Sequence, residues 1–242
     1  MQRIILTFLL LICSSSVFSQ NCAEMVFMGK FPVNKEPVTI ICHKRYVAGY
    51  SIPRKAPLWV AEKLTYEQVN SFKTPRQNAF KYDPLINQNT QPQQKDFQNN
   101  DYDRGHMANF DNMSDNAAAA LESFYMTNMV AQHYQNNRGI WKSLELKTRE
   151  IAKANKIIFV ITGPIFDDGR RLSDGTSIPT RLYKLILLPI SRESYTFILP
   201  NTALSTSSLP TFLIRKSELK IQNKHTDVFP NRHKFTDKFS IQ

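Results

Sequence analysis

The stretch Tyr102-Asp103-Arg104-Gly105-His106-Met107-Ala108 decides how this chain is read. It sets an imidazole close to a guanidinium and a carboxylate, with a glycine between them. A lone histidine is most often structural, so the stretch takes its meaning from its downstream neighbours. These are Thr127-Asn128-Met129-Val130-Ala131-Gln132, then Asn136-Asn137-Arg138-Gly139-Ile140-Trp141, then Leu144, Glu145 and Arg149. Asn137, Trp141, Glu145 and Arg149 recur at every fourth position, which in a helix makes a slowly drifting stripe on one side. A stripe holding an amide, a carboxylate and a guanidinium is not a core stripe. It is expected at the bottom of a polar groove.

Outward from there, residues 38–50 are rich in β-branched and aromatic side chains and read as a strand, and residues 58–64 as a second strand after Pro53 and Pro57. Residues 71–102 are rich in Gln, Asn, Pro and Lys, and so long a loop is usually functional or mobile. Residues 116–129 and 139–155 carry apolar side chains at helical spacing. Residues 156–161 read as a buried strand ended by Thr162-Gly163-Pro164. Two more strands are expected over 181–188 and 195–199, then a short helix over 216–222. The last residues, with Arg215, Lys216, Lys220, Lys224, Arg232, Lys234 and Lys238, read as a basic flank rather than core. Strands and helices alternate without βαβ regularity, so the fold class is α+β. No internal repeat occurs, and one domain is expected over residues 20–242.

The chain has 242 residues, a formal net charge of +11, 42% hydrophobic residues and 21% charged residues. That composition is globular, neither disordered nor fibrous. Five His and three Cys are too few for an array of zinc fingers. The positive surplus predicts an anionic partner. Met1-Gln2-Arg3, the apolar run over 4–13 and the serines after it have the layout of a signal peptide over residues 1–19, with Val17 and Ser19 placed for cleavage before Gln20. A mitochondrial presequence would be Arg-rich and amphipathic, whereas this run is continuously apolar. The expectation is a secreted or periplasmic protein with no membrane segment in its mature form. Cys22 and Cys42 would then remain, and two cysteines in an exported protein invite a disulfide.

The chain resembles the DNA/RNA non-specific endonucleases, the group of endonuclease G and the secreted bacterial sugar-non-specific nucleases. The resemblance rests on Asp-Arg-Gly-His at 103–106, on the ordered segments at 127–132, 137–141 and 144–145, and on Pro57, Trp59, Val60 and Ala61 upstream. Ile161-Thr162-Gly163-Pro164-Ile165 and Phe197-Ile198-Leu199-Pro200-Asn201 extend it downstream. It implies the ββα-metal nuclease fold: a mixed, largely antiparallel sheet with packed helices, and an antiparallel pair bearing the histidine against a helix that brings the metal ligand.

The implied roles suit phosphodiester hydrolysis. His106 is the general base, since a neutral imidazole is available near pH 7. Asn137 is the direct ligand of Mg²⁺, or of Mn²⁺ in its place, with Glu145 reaching the metal through water. Arg104 and Arg149 hold the phosphate, Asn128 supports the base, and Arg76 is the nearest match to a further family arginine. Asp103 is read as fixing the turn or pairing with an arginine. His43, His133, His225 and His233 are read as structural or solvent-facing. The partners implied are DNA and RNA through the phosphate backbone, with a homodimer and a protein inhibitor left open. The alternatives are a catalytically silent nucleic-acid-binding module of the same fold and a phosphodiesterase for small nucleotides. Neither a Gly-x-Ser-x-Gly nor a phosphate-binding Gly-x-x-x-x-Gly-Lys stretch occurs.

Overall fold

The computed structural model describes residues 22–98, 100–228 and 235–241. The expected leader over 1–19 lies outside the described residues, as do Arg232, His233 and Lys234. In chain order the elements are β1 (Val33–Asn34), β2 (Thr39–Cys42), β3 (Tyr46–Ser51), β4 (Ala56–Thr65), α1 (Tyr66–Asn70), β5 (Tyr102–His106), α2 (Phe110–Met113), α3 (Ala117–Glu122), β6 (Met129–His133), α4 (Tyr134–Asn136), α5 (Lys142–Asn155), β7 (Ile157–Ile165), β8 (Arg181–Leu188), β9 (Glu193–Pro200), β10 (Leu213–Ile214), α6 (Lys216–Gln222), β11 (Thr226–Asp227) and β12 (Thr236–Asp237).

The main sheet runs β10-β9-β8-β7-β4-β3-β2, with β12 added on β9. All its pairs are antiparallel except β12 with β9. β3 and β4 are buried on both faces, which is why they read as near-continuous apolar runs instead of alternating ones. On one face Trp59 stacks on Phe31 at 5.9 Å and donates to Asn34 Oδ1 at 3.1 Å. Its indole lies across Gly49, where any Cβ would stand 2.3 Å from Trp59 Nε1. The other face takes α5, whose Leu144, Thr148, Ile151 and Ala152 are buried at helical spacing. Glu145 and Arg149, each one position beyond a buried residue, are half-buried.

Three sequence expectations are corrected. Residues 38–50 form a hairpin, not one strand, because His43 leaves β2 to hydrogen-bond Asp83 Oδ2 at 2.9 Å in the interior while its amide closes the turn on Tyr46. The helix expected over 116–129 is short: Asn116 caps α3, which ends at Glu122 so that Phe124 can enter the core and residues 126–128 can lead into β6. The basic flank is part of the fold. Leu219 is fully buried, Lys216 Nζ donates to the Phe235 carbonyl at 2.9 Å, and β11 and β12 pair with β1 and β9. Cys22 and Cys42 are joined as a disulfide with Cα atoms 5.6 Å apart, tying the first turn to β2.

Candidate active site

β5 and β6 form a separate antiparallel pair in which His106 faces Met129, Gly105 faces Val130 and Arg104 faces Ala131. Strand alternation puts Arg104 and His106 on one face. Gly105 is required on the other, since a Cβ there would meet Gln132 Oε1 at 2.2 Å and its Cβ at 2.5 Å. The exposed face of the pair opens into a cavity of about 570 Å³ shared with residues from the 71–102 loop, α2 and the start of α5.

His106 is buried at 9% exposure, between the rings of Phe80 at 5.6 Å and Phe124 at 5.1 Å. Its Nε2 has no hydrogen-bond partner among the described residues. Burial, then the charges of Arg76 and Arg104, push its pKa down to about 3, so the imidazole stays neutral through the physiological range. Arg104 lies over Phe80 at 3.9 Å, and Arg76 rests over Phe110 and Phe124 at 5.2 and 5.3 Å. Aromatic faces thus hold both guanidiniums at the cavity wall.

The opposite wall is the entry to α5. Residues Asn137–Trp141 form a wide π turn, with Gly139 at φ −105°, ψ −105°. The widened turn breaks the four-residue stripe: Trp141 is fully buried in the core, while Asn137 and Glu145 line the cavity. Asn137 Nδ2 donates to Asp103 Oδ2 at 2.9 Å, which assigns the amide and turns its oxygen away from Asp103. Asp103 also accepts two bonds from Arg138, at 2.9 and 2.6 Å. Burial opposes ionisation of Asp103, but the bonds from Arg138 and Asn137 outweigh it and hold its pKa below the ordinary value.

Behind this wall lies a buried charge cluster. Burial raises the Glu145 pKa, against the pull of Lys184 and Arg149. Burial likewise pushes Glu62 up to about 7. Lys184, fully buried in β8, is pushed down by burial and donates to Thr162 Oγ1 at 2.7 Å. Arg149 does not line the cavity. Its Nη1 reaches Asn109 Oδ1 and Asn112 Oδ1, both at 3.4 Å, and its Nη2 lies 3.3 Å from Asp111 Oδ2. Asn128 is fully buried behind His106, where it accepts from the Ala108 amide at 2.8 Å and donates to the Ala108 and Ser123 carbonyls at 2.9 and 2.8 Å.

The fold therefore brings Arg76, Arg104, His106, Asn137 and Glu145 to one cavity and sets Arg149 and Asn128 just behind it. Sequence reasoning missed Asn109, Phe80 and Asp111. Asn109 caps α2 and ties Arg149 to the strand that carries His106; an Asn directly before a short helical run was its available signal. Phe80 was visible only as an aromatic in a polar loop.

The sequence pattern described as DNA/RNA non-specific endonuclease matches residues 26–233. The chain belongs to that family. Human nuclease EXOG, a mitochondrial protein, is 28% identical over 200 residues, covering 75% of this chain and 54% of EXOG. Nuclease C1 of Cunninghamella echinulata var. echinulata is 30% identical over 196 residues, covering 72% and 77%. A crystal structure of the EndoG/EndoGI complex, described as showing the mechanism of EndoG inhibition, superposes with a TM-score of 0.77 at 25% identity, covering 93% of this chain and 98% of that one. The α+β, ββα-metal architecture of the endonuclease family is thus that of this chain. The chain spans about half the length of the EXOG relatives it matches.

The comparisons correct the expectation of a secreted or periplasmic location. EXOG and endonuclease G among its relatives are mitochondrial nucleases, pointing to mitochondria and away from export. The physical reason is that a short apolar run behind one basic residue records hydrophobicity alone, and does not specify which membrane system reads it.

Proposed function

We propose that this chain is a metal-dependent endonuclease that hydrolyses phosphodiester bonds of DNA and RNA with little sequence preference, and that residues from Cys22 onward act as one nuclease domain. The observation that carries the reading is the neutral, unpartnered imidazole of His106 inside a cavity that also holds Arg76, Arg104 and the free amide oxygen of Asn137. A proton acceptor for water must have a free lone pair within the cavity, and His106 Nε2 has no hydrogen-bond partner among the described residues.

The donor set fits a hard cation that keeps most of its water. Among the described residues no three of His, Cys, Asp and Glu converge as a metal cage. Asn137, through its amide oxygen, and Glu145, through water, would hold Mg²⁺ or Mn²⁺. When bound, the cation supplies the positive charge that neutralises the phosphate and the departing 3′ oxygen. Asp103 and Arg138 keep the Asn137 amide oriented for that task. Arg76 and Arg104 hold the phosphate oxygens as fixed, delocalised charges, and Arg149, held on Asn109 and Asn112 just behind the cavity wall, adds a third. Asn128 fixes the backbone just beyond His106, so that the base cannot drift from the attacking water. Backbone contacts of this kind bind without reading bases. A protein inhibitor is a fitting partner, since the structural neighbour EndoG is described in complex with EndoGI.

The test is to incubate the protein with supercoiled plasmid, single-stranded RNA and a dinucleotide, each with Mg²⁺ or EDTA. Metal-dependent nicking of plasmid and fragmentation of RNA is expected. Cleavage of the dinucleotide alone would favour the small-nucleotide phosphodiesterase. Salt-sensitive binding without cleavage would favour the silent module.

A further inference from the structure

Glu62 sits in the middle of the sheet, where β4 pairs with β3 on one side and β7 on the other, and is 1% exposed. A buried carboxylate costs several kcal/mol unless it is paired. No cation lies within ion-pair distance of it among the described residues: Lys184 bonds Thr162 instead, and Glu62 Oε2 has no partner. Its side-chain partner is Asn112, whose Nδ2 donates to Glu62 Oε1 at 2.9 Å. Asn112 is itself buried, and its Oδ1 accepts from Arg149 Nη1.

We infer that Glu62 is a positioning residue for Arg149, acting through Asn112. The inference rests on the reading of Arg149 as a phosphate-holding residue of the proposed site. An amide has a donor end and an acceptor end, and its two orientations differ only in what they face. Glu62 Oε1 accepts from Asn112 Nδ2, which turns the Asn112 nitrogen toward the sheet and its oxygen toward Arg149. Asn109 Oδ1 completes the pair of acceptors that share the guanidinium Nη1. A glutamine at 62 can face Asn112 with its NH₂ group, which takes away the acceptor of Asn112 Nδ2 and loosens the hold of Asn112 on Arg149. The costly buried acid thus keeps the second row of the site correctly aligned.

A double-mutant cycle tests this. Binding of a short DNA duplex in EDTA and kcat/KM on plasmid with Mg²⁺ are measured for the wild type, Glu62→Gln, Arg149→Ala and the double variant. Arg149→Ala is expected to weaken binding about tenfold and Glu62→Gln about three- to tenfold, each tenfold being about 1.4 kcal/mol. The double variant should match Arg149→Ala, because a residue acting through Arg149 is silent once Arg149 is gone. A purely structural role for Glu62 would lower the unfolding temperature and leave the two effects multiplicative. Multiplicative losses, or wild-type binding by Glu62→Gln, overturn the inference. Wild-type behaviour of Arg149→Ala would instead refute the phosphate-holding role of Arg149, and the inference with it. Should Glu62→Gln fail to fold, Asn112→Ser, which leaves the acid in place, is run through the same cycle with the same criteria.

Discussion

Replacing His106 by asparagine should flatten the loss of stability on acidification. The native imidazole is pushed down to about 3 by burial and by Arg76 and Arg104, whereas an unfolded histidine titrates near 6.5. The unfolded state therefore binds a proton that the folded state refuses. Stability attributable to the neutral His106 is fully present above about pH 6.5 and is lost as pH falls toward 3. Linkage over that window gives a loss of about 2 kcal/mol between pH 7 and pH 5 and about 3 kcal/mol between pH 7 and pH 4. The asparagine amide has no proton to exchange in this range. Urea unfolding of both proteins in EDTA at pH 7, 5 and 4 reads the difference directly. The His106→Asn variant should lose less stability than the wild type by those amounts, whatever its stability at pH 7. Parallel pH dependence, or an imidazole resonance of His106 titrating near 6.5, would refute the burial argument.

Gly105→Ala would force a Cβ into buried Gln132, an overpacking cost of about 1–3 kcal/mol read as a lower Tm. Asp103→Asn removes the carboxylate that orients Asn137, so half-maximal activity should need about tenfold more Mg²⁺ at unchanged metal-free DNA affinity. Reducing the Cys22–Cys42 bridge, which spans a sequence separation of 20, should cost about 3 kcal/mol of unfolding free energy by the chain-entropy relation; Cys22→Ser/Cys42→Ser measures the same loss.

Strand β8 and helix α6 were legible in the sequence because long apolar runs and a clear break at Pro210 survive any tertiary context. The motif at 103–106 marked His106 and its cavity neighbours because the β5–β6 pairing is local to it. The π turn at 137–141 was not legible: periodicity continues smoothly through Asn137 and Trp141, and only Gly139, at a non-helical ψ, breaks the register. His43 was masked in another way. Its neighbours Lys44 and Arg45 point to solvent chemistry, while its partner Asp83 comes from the distant polar loop. Glu62 was invisible for the same reason, since a lone acid inside an apolar strand carries no sign of the α2 amide that holds it. Location was not legible either, because hydrophobicity at the N-terminus does not carry its own address.

In the proposed mechanism His106 removes the proton from the attacking water. Single-turnover cleavage of plasmid by His106→Ala in Mg²⁺, with DNA affinity measured in EDTA beside it, tests this most directly. A rate lower by about 10²–10⁴ with affinity unchanged is expected. A rate within a few-fold of the wild type, at equal affinity, would contradict it.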